Sequence, residues 1–271
     1  IKCISLCEYL SKVEYMKRVG SVIAWGLNRA VKLFGNLLSM LVRMFVDVKP
    51  GMVLCWAYNY KQYGCNPRYL TEYLLEHHPD MEIVWVFRQG VDLSQVDSRI
   101  RCVRFRSWEY LKMVASAEFL VTNSRTDSWH AYWHKRPEQK YLMLWHGGAA
   151  LKQVERDVED RLGYSYVKKA KRDSRMCDLM ISGCRANTEL IRRSFWYSGE
   201  ILEQGIPRND MFFKKELHHS LRQNINRQYG IAPDSRIVLY APTFRHSGSI
   251  EPYRIDWHAV VPCLEKMFGG D

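Results

Sequence analysis

A single histidine follows an apolar run and precedes two glycines in the segment from Tyr141 to Lys152, which reads YLMLWHGGAALK. The apolar run predicts a β-strand, so His146 stands at its carboxyl end, where open α/β sheets bind their ligands. A neutral imidazole is a usable general base near pH 7. Gly147 and Gly148 would let a phosphate approach the backbone amides that begin the next helix. A hydrogen-bonded core histidine is the alternative, and these residues alone favour neither.

Three more polar segments follow predicted strands, and they read TNSR from Thr122, GIPRND from Gly205 and YAPTFR from Tyr240. Arg208 and Arg245 offer guanidinium groups that suit phosphate oxygens, and Thr243 adds a hydroxyl donor. The carboxyl ends of parallel strands meet at one edge of a sheet, so these groups would line one cleft. Taken singly each signal is weak, since a Pro-Arg-Asn-Asp run is more often a turn with a helix cap.

The bulk composition favours an anionic partner without identifying it. The formal charge is +11 and the pI is near 9.3, which fits a nucleic acid, a phosphorylated substrate or an acidic membrane. No nucleic-acid motif is recognisable, so we expect no nucleic acid. The eight cysteines form no CxxC pair and predict reduced thiols of a cytosolic protein. His130 and His134 lack a third ligand at a recognisable spacing, so we expect no metal and no cofactor.

Residues 21 to 48 predict a helix with two unlike faces. The bulky apolar side comprises Ile23, Leu27, Ala30, Phe34, Leu38, Leu41 and Phe45. The opposite side comprises Arg29, Lys32, Asn36, Ser39 and Arg43, and its charges rule out a membrane span. We expect residues 1 to 48 to associate with an anionic membrane surface. A helix packed on its own domain with a solvated basic side fits the pattern about equally well.

From residue 49 onward, short β-rich runs alternate with helical ones, which predicts an α/β fold with a parallel sheet in a Rossmann-like domain over residues 49 to 230. The predicted strands are Met52 to Tyr58, Glu82 to Phe87, Arg101 to Phe105, Phe119 to Thr122, Tyr141 to Trp145, Leu179 to Ser182 and Ile201 to Gln204. The predicted helices include one from Asn187 to Gly199 and one from Asp210 to Gly230. A strand from Arg236 to Tyr240 would open a second domain over residues 231 to 271. One strand and one further helix cannot bury a core, so we expect a fragment cut within that domain.

In their order, the four strand-end segments resemble the CDP-glycerol:poly(glycerophosphate) glycerophosphotransferase family, the primases and polymerases of wall teichoic acid and related capsule polymers. The resemblance runs from about Met52 to Arg245. It implies a GT-B-like fold of two Rossmann-like domains, held peripherally on the cytoplasmic face of the plasma membrane by amphipathic N-terminal segments. It also implies transfer of an alditol phosphate from CDP-glycerol or CDP-ribitol to a hydroxyl of a lipid-linked polyol-phosphate or glycan acceptor, with release of CMP.

The resemblance implies roles for single residues. His146 matches the histidine proposed as the general base that takes the proton of the acceptor hydroxyl. Lys152 matches a family lysine that would contact the anionic acceptor. The charge of the transferring phosphate would be met by Arg208, Arg245, Thr243 and the amides around Gly147 and Gly148.

The chain departs from the family pattern in two ways. Many members read Trp-His-Gly-Thr-Pro-Leu-Lys, whereas here Gly148-Ala149-Ala150 precede Leu151 and Lys152, which leaves the alditol and the acceptor open. The family's Thr-Asp-Tyr-Ser-Ser run, which helps to hold the donor, is not reached, so we expect this polypeptide alone to be inactive. Two other interpretations stay open: a GT-B glycosyltransferase that uses a nucleotide sugar, and a non-enzymatic basic module for a membrane or a nucleic acid.

Overall fold

The computed structural model describes residues 6–147, 153–242 and 251–269, and within them all side chains but those of residues 6–24 and 252. The chain divides into two compact units, Ile1–Asp210 and Met211–Asp271. This division falls before the boundary at residue 230 that the sequence suggested, and the three-part domain organisation stays a prediction.

Within the described residues, seven parallel strands form one sheet in the order β3-β2-β1-β4-β5-β6-β7. The strands are β1 Lys49–Trp56, β2 Glu82–Phe87, β3 Arg101–Arg104, β4 Ala117–Thr122, β5 Lys140–Met143, β6 Leu179–Ser182 and β7 Glu200–Glu203. Leu54 of β1 pairs with Val84 on one side and Leu120 on the other. The chain order reverses between β1 and β4, which is the topological switch point where doubly wound sheets bind ligands. The predicted parallel α/β fold is confirmed.

Helices cover both faces of the sheet because its central strands are apolar on both sides. The helices of the unit Ile1–Asp210 are α1 Leu6–Phe45, α2 Cys65–His77, α3 Trp108–Ser116, α4 Tyr164–Met176 and α5 Arg185–Ser194. The unit Met211–Asp271 contains α6 Lys215–Tyr229 and α7 Trp257–Phe268. Short 3-10 helices occupy Tyr58–Tyr60, Glu155–Arg161, Pro207–Phe213 and Glu251–Tyr253. Successive β1 residues enter opposite cores: Leu54 packs with Tyr110 and Trp133, whereas Cys55 packs with Trp85.

Helix α1 turns its polar side toward the domain. Asn36 and Ser39 are 1% and 2% exposed. The Asn36 amide donates to the Trp129 carbonyl at 2.9 Å, and the Ser39 hydroxyl donates to the Tyr132 carbonyl. Gly35 permits this close approach, since a Cβ there would lie 2.4 Å from the Tyr132 ring.

The apolar side of α1 is the one that solvent reaches. Phe34 is 67% exposed and Phe45 is 84% exposed, and the same side carries Leu27 and Leu41, although Leu38 is half-buried. The structure thus packs α1 on its own domain through Asn36 and Ser39, while Arg29 of the same side is exposed, and membrane association stays a prediction. None of the described helices is long and apolar enough to cross a membrane.

Three local predictions are wrong. Arg236 to Tyr240 forms no strand, because no described neighbour pairs with it. The helix predicted from Asn187 to Gly199 is α5, which begins at Arg185 and ends at Ser194. Asp210 lies inside a 3-10 helix, and α6 begins only at Lys215, although Gly230 ends it in a left-handed conformation as expected (φ 64°).

Candidate functional site

The carboxyl ends of β1, β4 and β5 bring Tyr58, Asn123 and His146 together at the switch point of the sheet. Asn123 is fully buried directly after β4. Its side-chain oxygen accepts the Tyr58 backbone N–H at 3.0 Å, and its carbonyl lies 2.8 Å from His146 Nδ1. One asparagine therefore fixes both the loop after β1 and the orientation of the imidazole.

The contact with Asn123 decides where His146 carries its proton. A carbonyl oxygen can only accept, so Nδ1 holds the hydrogen and Nε2 of the neutral ring keeps a lone pair. The ring is exposed, packs against Trp145 with 4.3 Å between centroids, and lines a cavity of about 310 Å³. In this tautomer, Nε2 is the nitrogen left to accept a proton, on a residue that lines the cavity.

The backbone around His146 is held in uncommon conformations. Tyr58, Cys65 and Trp145 have positive φ angles of 45°, 58° and 46°. Such values are costly for residues with bulky side chains, and they persist only where surrounding contacts hold them. For Trp145 those contacts include Phe195, whose ring meets the indole edge-on at 4.7 Å.

Asn66 in the first turn of α2 links the His146 loop to the segment after β7. Its side-chain amide donates to the carbonyls of Leu144 and Trp145 at 2.9 and 2.8 Å. Its side-chain oxygen accepts the Arg208 backbone N–H at 3.3 Å. The fold thus brings the predicted phosphate ligand Arg208 to the edge of the sheet that carries His146.

The Arg208 guanidinium contacts a perturbed thiol. Its Nη1 donates to Cys65 Sγ at 3.4 Å. Burial alone would raise the pKa of the Cys65 thiol, but hydrogen bonds with Tyr58 and Asn123 and the Arg208 charge outweigh burial and lower it. Burial and the hydrogen bond with Cys65 raise the pKa of Tyr58 to about 12. No local pattern in the sequence predicted this cluster.

Arg125, from the TNSR segment, forms ion pairs within the protein. Its side chain is 11% exposed and pairs with Glu155 and Asp173, each at 3.1 Å. It also donates to the carbonyl of Phe195. Burial raises the pKa of Asp173 to about 6, although Arg125 favours the charged carboxylate. Arg125 therefore supports one wall of the His146 cavity as part of a buried ion network.

The other predicted site residues are placed as follows. Gly147 is exposed beside His146, and a Cβ there would lie 3.3 Å from the Trp145 indole nitrogen. Gly148, Lys152, Thr243 and Arg245 lie outside the described residues. The functional roles of all seven predicted site residues stay predictions.

No group of three or more His, Cys, Asp or Glu side chains in the described part of the chain is placed to hold a metal ion. His130 and His134 lie in a turn and loop instead of on a helix, and His130 Nδ1 lies 2.9 Å from Arg106 Nη2. The contact with a cation is unfavourable for a metal ligand.

Comparison with known families identifies the chain. The family described as "CDP-Glycerol:Poly(glycerophosphate) glycerophosphotransferase" matches residues 38–268. The chain belongs to this family. A teichoic acid poly(glycerol phosphate) polymerase of Bacillus subtilis is 32% identical over 219 residues, which are 79% of this chain and 28% of that protein. The enzyme of the same name from Staphylococcus epidermidis is 29% identical over 83% of this chain and 32% of its own length.

The chain thus spans about a third of the length of these relatives. Its fold is similar to the solved structure of a variant of the wall teichoic acid polymerase TagF, with a TM-score of 0.74 and 25% identity. That likeness covers 98% of this chain and 63% of the TagF chain. It agrees with the GT-B-like, Rossmann-like architecture expected from the sequence.

Proposed function

We propose that this chain forms the acceptor-side part of an enzyme that transfers glycerol phosphate from CDP-glycerol to a hydroxyl group of a membrane-linked, teichoic acid-type acceptor. The family match and the names of the relatives support this reaction class. The acceptor oxygen attacks the β-phosphorus of the donor, the bond from that phosphorus to the CMP oxygen breaks, and the proton of the hydroxyl passes to His146.

The hydrogen bond between His146 Nδ1 and the Asn123 carbonyl carries the proposal. It leaves Nε2 free to accept a proton, and it stabilises the imidazolium that forms, because a carbonyl oxygen is a favourable partner for a charged N–H. A base fixed in this way loses little orientational freedom when the acceptor binds.

Arg208 supplies positive charge at the same edge of the sheet. Phosphoryl transfer depends mainly on positioning and on stabilising the charge of the transferring group. Arg208 is held by its backbone contact with Asn66, and its side chain has a soft, polarisable partner in Cys65. A phosphate oxygen is a stronger hydrogen-bond acceptor for the guanidinium than a thiol is. The guanidinium of Arg208 can therefore exchange Cys65 for a phosphate oxygen of the donor.

We propose further that the protein lies peripherally on the cytoplasmic face of the membrane, with α1 in the interface. The apolar side of α1 is exposed, while Asn36 and Ser39 of its polar side are buried against the domain, which is the orientation a membrane-bound helix requires. Co-sedimentation with vesicles that contain phosphatidylglycerol would show salt-sensitive binding; recovery of the protein in the supernatant at low salt would contradict this placement.

The test of the chemistry uses the complete protein and measures CMP release. We expect His146→Ala to lower the rate about 100- to 10,000-fold, the usual range for a lost general base. A panel of CDP-glycerol, CDP-ribitol and nucleotide sugars, assayed with the unaltered enzyme, identifies the donor. Nucleotide release from a nucleotide sugar, with none from CDP-glycerol or CDP-ribitol, would refute the proposed reaction.

His77→Ala is the matched control for His146. His77 is also exposed, and its Nδ1 likewise contacts a backbone carbonyl, that of Tyr73, at 3.0 Å. It is the last residue of α2, whereas the site contacts the first turn of that helix. Full activity of the His146 variant, or an equal loss in both variants, would remove His146 from the mechanism.

A further inference from the structure

A cationic cleft lies between α1 and α4, outside the cavity that holds His146. Its volume is about 540 Å³, which is within the range of small-molecule sites. Trp25, Arg29 and Lys32 line it from α1, and Lys168 and Arg172 line it from α4. Residues from both helices and from the loop after β4 therefore enclose one space.

The cleft carries far more positive than negative charge. Its basic lining residues are Arg29, Lys32, Lys168, Lys169 and Arg172, and its acidic one is Asp127. Asp127 pairs with Lys169 at 2.9 Å. In the described part of the chain, no carboxylate lies within ion-pair distance of the other four cations. A group of cations without counter-charges favours a multiply charged anion.

Burial, and after it the nearby cations, lowers the pKa of two histidines close to the cleft. Burial and the charges of Arg106 and Lys32 lower the pKa of His130 to about 4. Burial, Arg43 and Arg172 lower the pKa of His134. Lys32 and Arg172 of the cleft thus add to the effect of burial on these two imidazoles.

The cleft lies between the membrane-facing helix and the candidate active site. On one side, the exposed indole of Trp25 gives the cleft an apolar wall on α1. On the other side, Thr126, Asp127 and Lys169 line both the cleft and the cavity of His146. A ligand in the cleft could thus keep an apolar part at α1 while its distal part enters the cavity.

We propose that this cleft binds the phosphate group through which the acceptor is attached to its lipid. This inference rests on the proposed transfer reaction and adds a binding site to it. Guanidinium and ammonium groups converging from two helices suit several phosphate oxygens at once. A bulk lipid headgroup would need only the outer surface of α1, whereas the wall shared with the His146 cavity favours the substrate itself.

The test compares two acceptors in the complete protein, one joined to its lipid through a phosphate and one joined through an uncharged ether. The variant combines Lys168→Gln with Arg172→Gln, both exposed on α4, so that α1 is unchanged. We expect KM for the phosphate-linked acceptor to rise about 30-fold, as two lost cation–phosphate contacts imply. KM for the ether-linked acceptor and kcat with either acceptor should be unchanged.

The matched control combines Lys140→Gln with Arg192→Gln, which removes the same charge from exposed positions on β5 and α5. An equal effect of both variants, or equal shifts with both acceptors, would overturn the proposal. Weaker binding to phosphatidylglycerol vesicles with unchanged KM values would mean that the cleft binds bulk headgroups, and this also overturns it.

A binding measurement separates this inference from the proposed reaction. The phosphate-linked acceptor is placed in phosphatidylcholine vesicles, and co-sedimentation is compared for the unaltered protein, the α4 variant and the control. If no donor releases CMP but binding still depends on Lys168 and Arg172, the reaction is refuted and the phosphate site stands. Binding that is equal for all three proteins overturns the site.

Discussion

The exposed side of α1 allows a quantitative test of membrane binding. Phe34 is 67% exposed and Phe45 is 84% exposed. Each ring presents about 200 Å² when fully exposed, so the pair leaves about 300 Å² in water. At about 25 cal/mol per Å², complete burial of that area would contribute about 7.5 kcal/mol. A helix in the interface buries roughly half of it, which leaves about 4 kcal/mol.

Replacing both residues by serine should therefore lower the vesicle partition coefficient by a factor of the order of 100 to 1000. The measurement is co-sedimentation over a series of lipid concentrations at fixed salt. The double change leaves the polar contacts of α1 in place, because Asn36 and Ser39 lie on the other side of the helix. Circular dichroism checks that the helical content is unchanged.

Phe212 and Phe213 provide the matched control. They are 67% and 82% exposed in the unit Met211–Asp271, so replacing them by serine removes nearly the same aromatic area. Partitioning of this control should stay as in the unaltered protein. If the two double variants lose binding equally, nonspecific hydrophobic adsorption explains the vesicle binding and α1 has no special role. A loss below threefold for the α1 variant, which is about 0.7 kcal/mol, would refute the area argument.

The buried ion network, the site thiol and a half-buried imidazole give three further predictions. Arg125→Met should lower the free energy of unfolding in urea by about 3–5 kcal/mol, because Asp173 is left charged and buried, and adding Asp173→Asn should restore part of it. Alkylation of Cys65 by iodoacetamide should reach half its maximal rate at a lower pH than that of Cys102, since the Cys65 pKa is lowered and burial raises that of Cys102. The pKa of His130 is about 4 in the fold and near 6.5 when unfolded, so its contribution to stability is present above pH 6.5 and is lost as the pH falls toward 4; His130→Gln should flatten that slope.

Each of these has a result that would contradict it. A change below about 1 kcal/mol for Arg125→Met would show that the network is solvated. Peptide mapping by mass spectrometry reports the two alkylation profiles, and coincident midpoints would mean that Arg208 and the hydrogen bonds do not favour the Cys65 thiolate. An unchanged acid limb of the stability curve for His130→Gln would assign that limb to other groups.

The sheet was predictable because buried parallel strands appear in a sequence as short runs of apolar residues. EIVWVF at Glu82–Phe87 and LMIS at Leu179–Ser182 are strands as expected. The run from Arg236 to Tyr240 has similar composition but forms no strand, since pairing requires a neighbour and the described chain supplies none. Apolar patterning thus predicts the tendency to pair, and the partner decides whether pairing occurs.

The supports of the site were not predictable. Asn66 reaches the carbonyl of Leu144 across 78 residues of sequence, and Asn123 holds His146 through its backbone carbonyl, which any residue possesses. Neither contact leaves a local pattern. For α1, the spacing of apolar residues predicted two faces, but only the polar contacts of Asn36 and Ser39 show which face the domain covers.

Those contacts also have a mechanical consequence. A protein held to a bilayer by one helix can in principle roll about the helix axis, and its active edge would then sweep through a range of heights. The amide of Asn36 and the hydroxyl of Ser39 bind carbonyls of one loop, at Trp129 and Tyr132, and so remove that rotation. A helix seated in the interface with its roll fixed would keep His146 at a nearly constant height above the lipid. The same hydrogen bonds would then set how far from the membrane an acceptor hydroxyl can react.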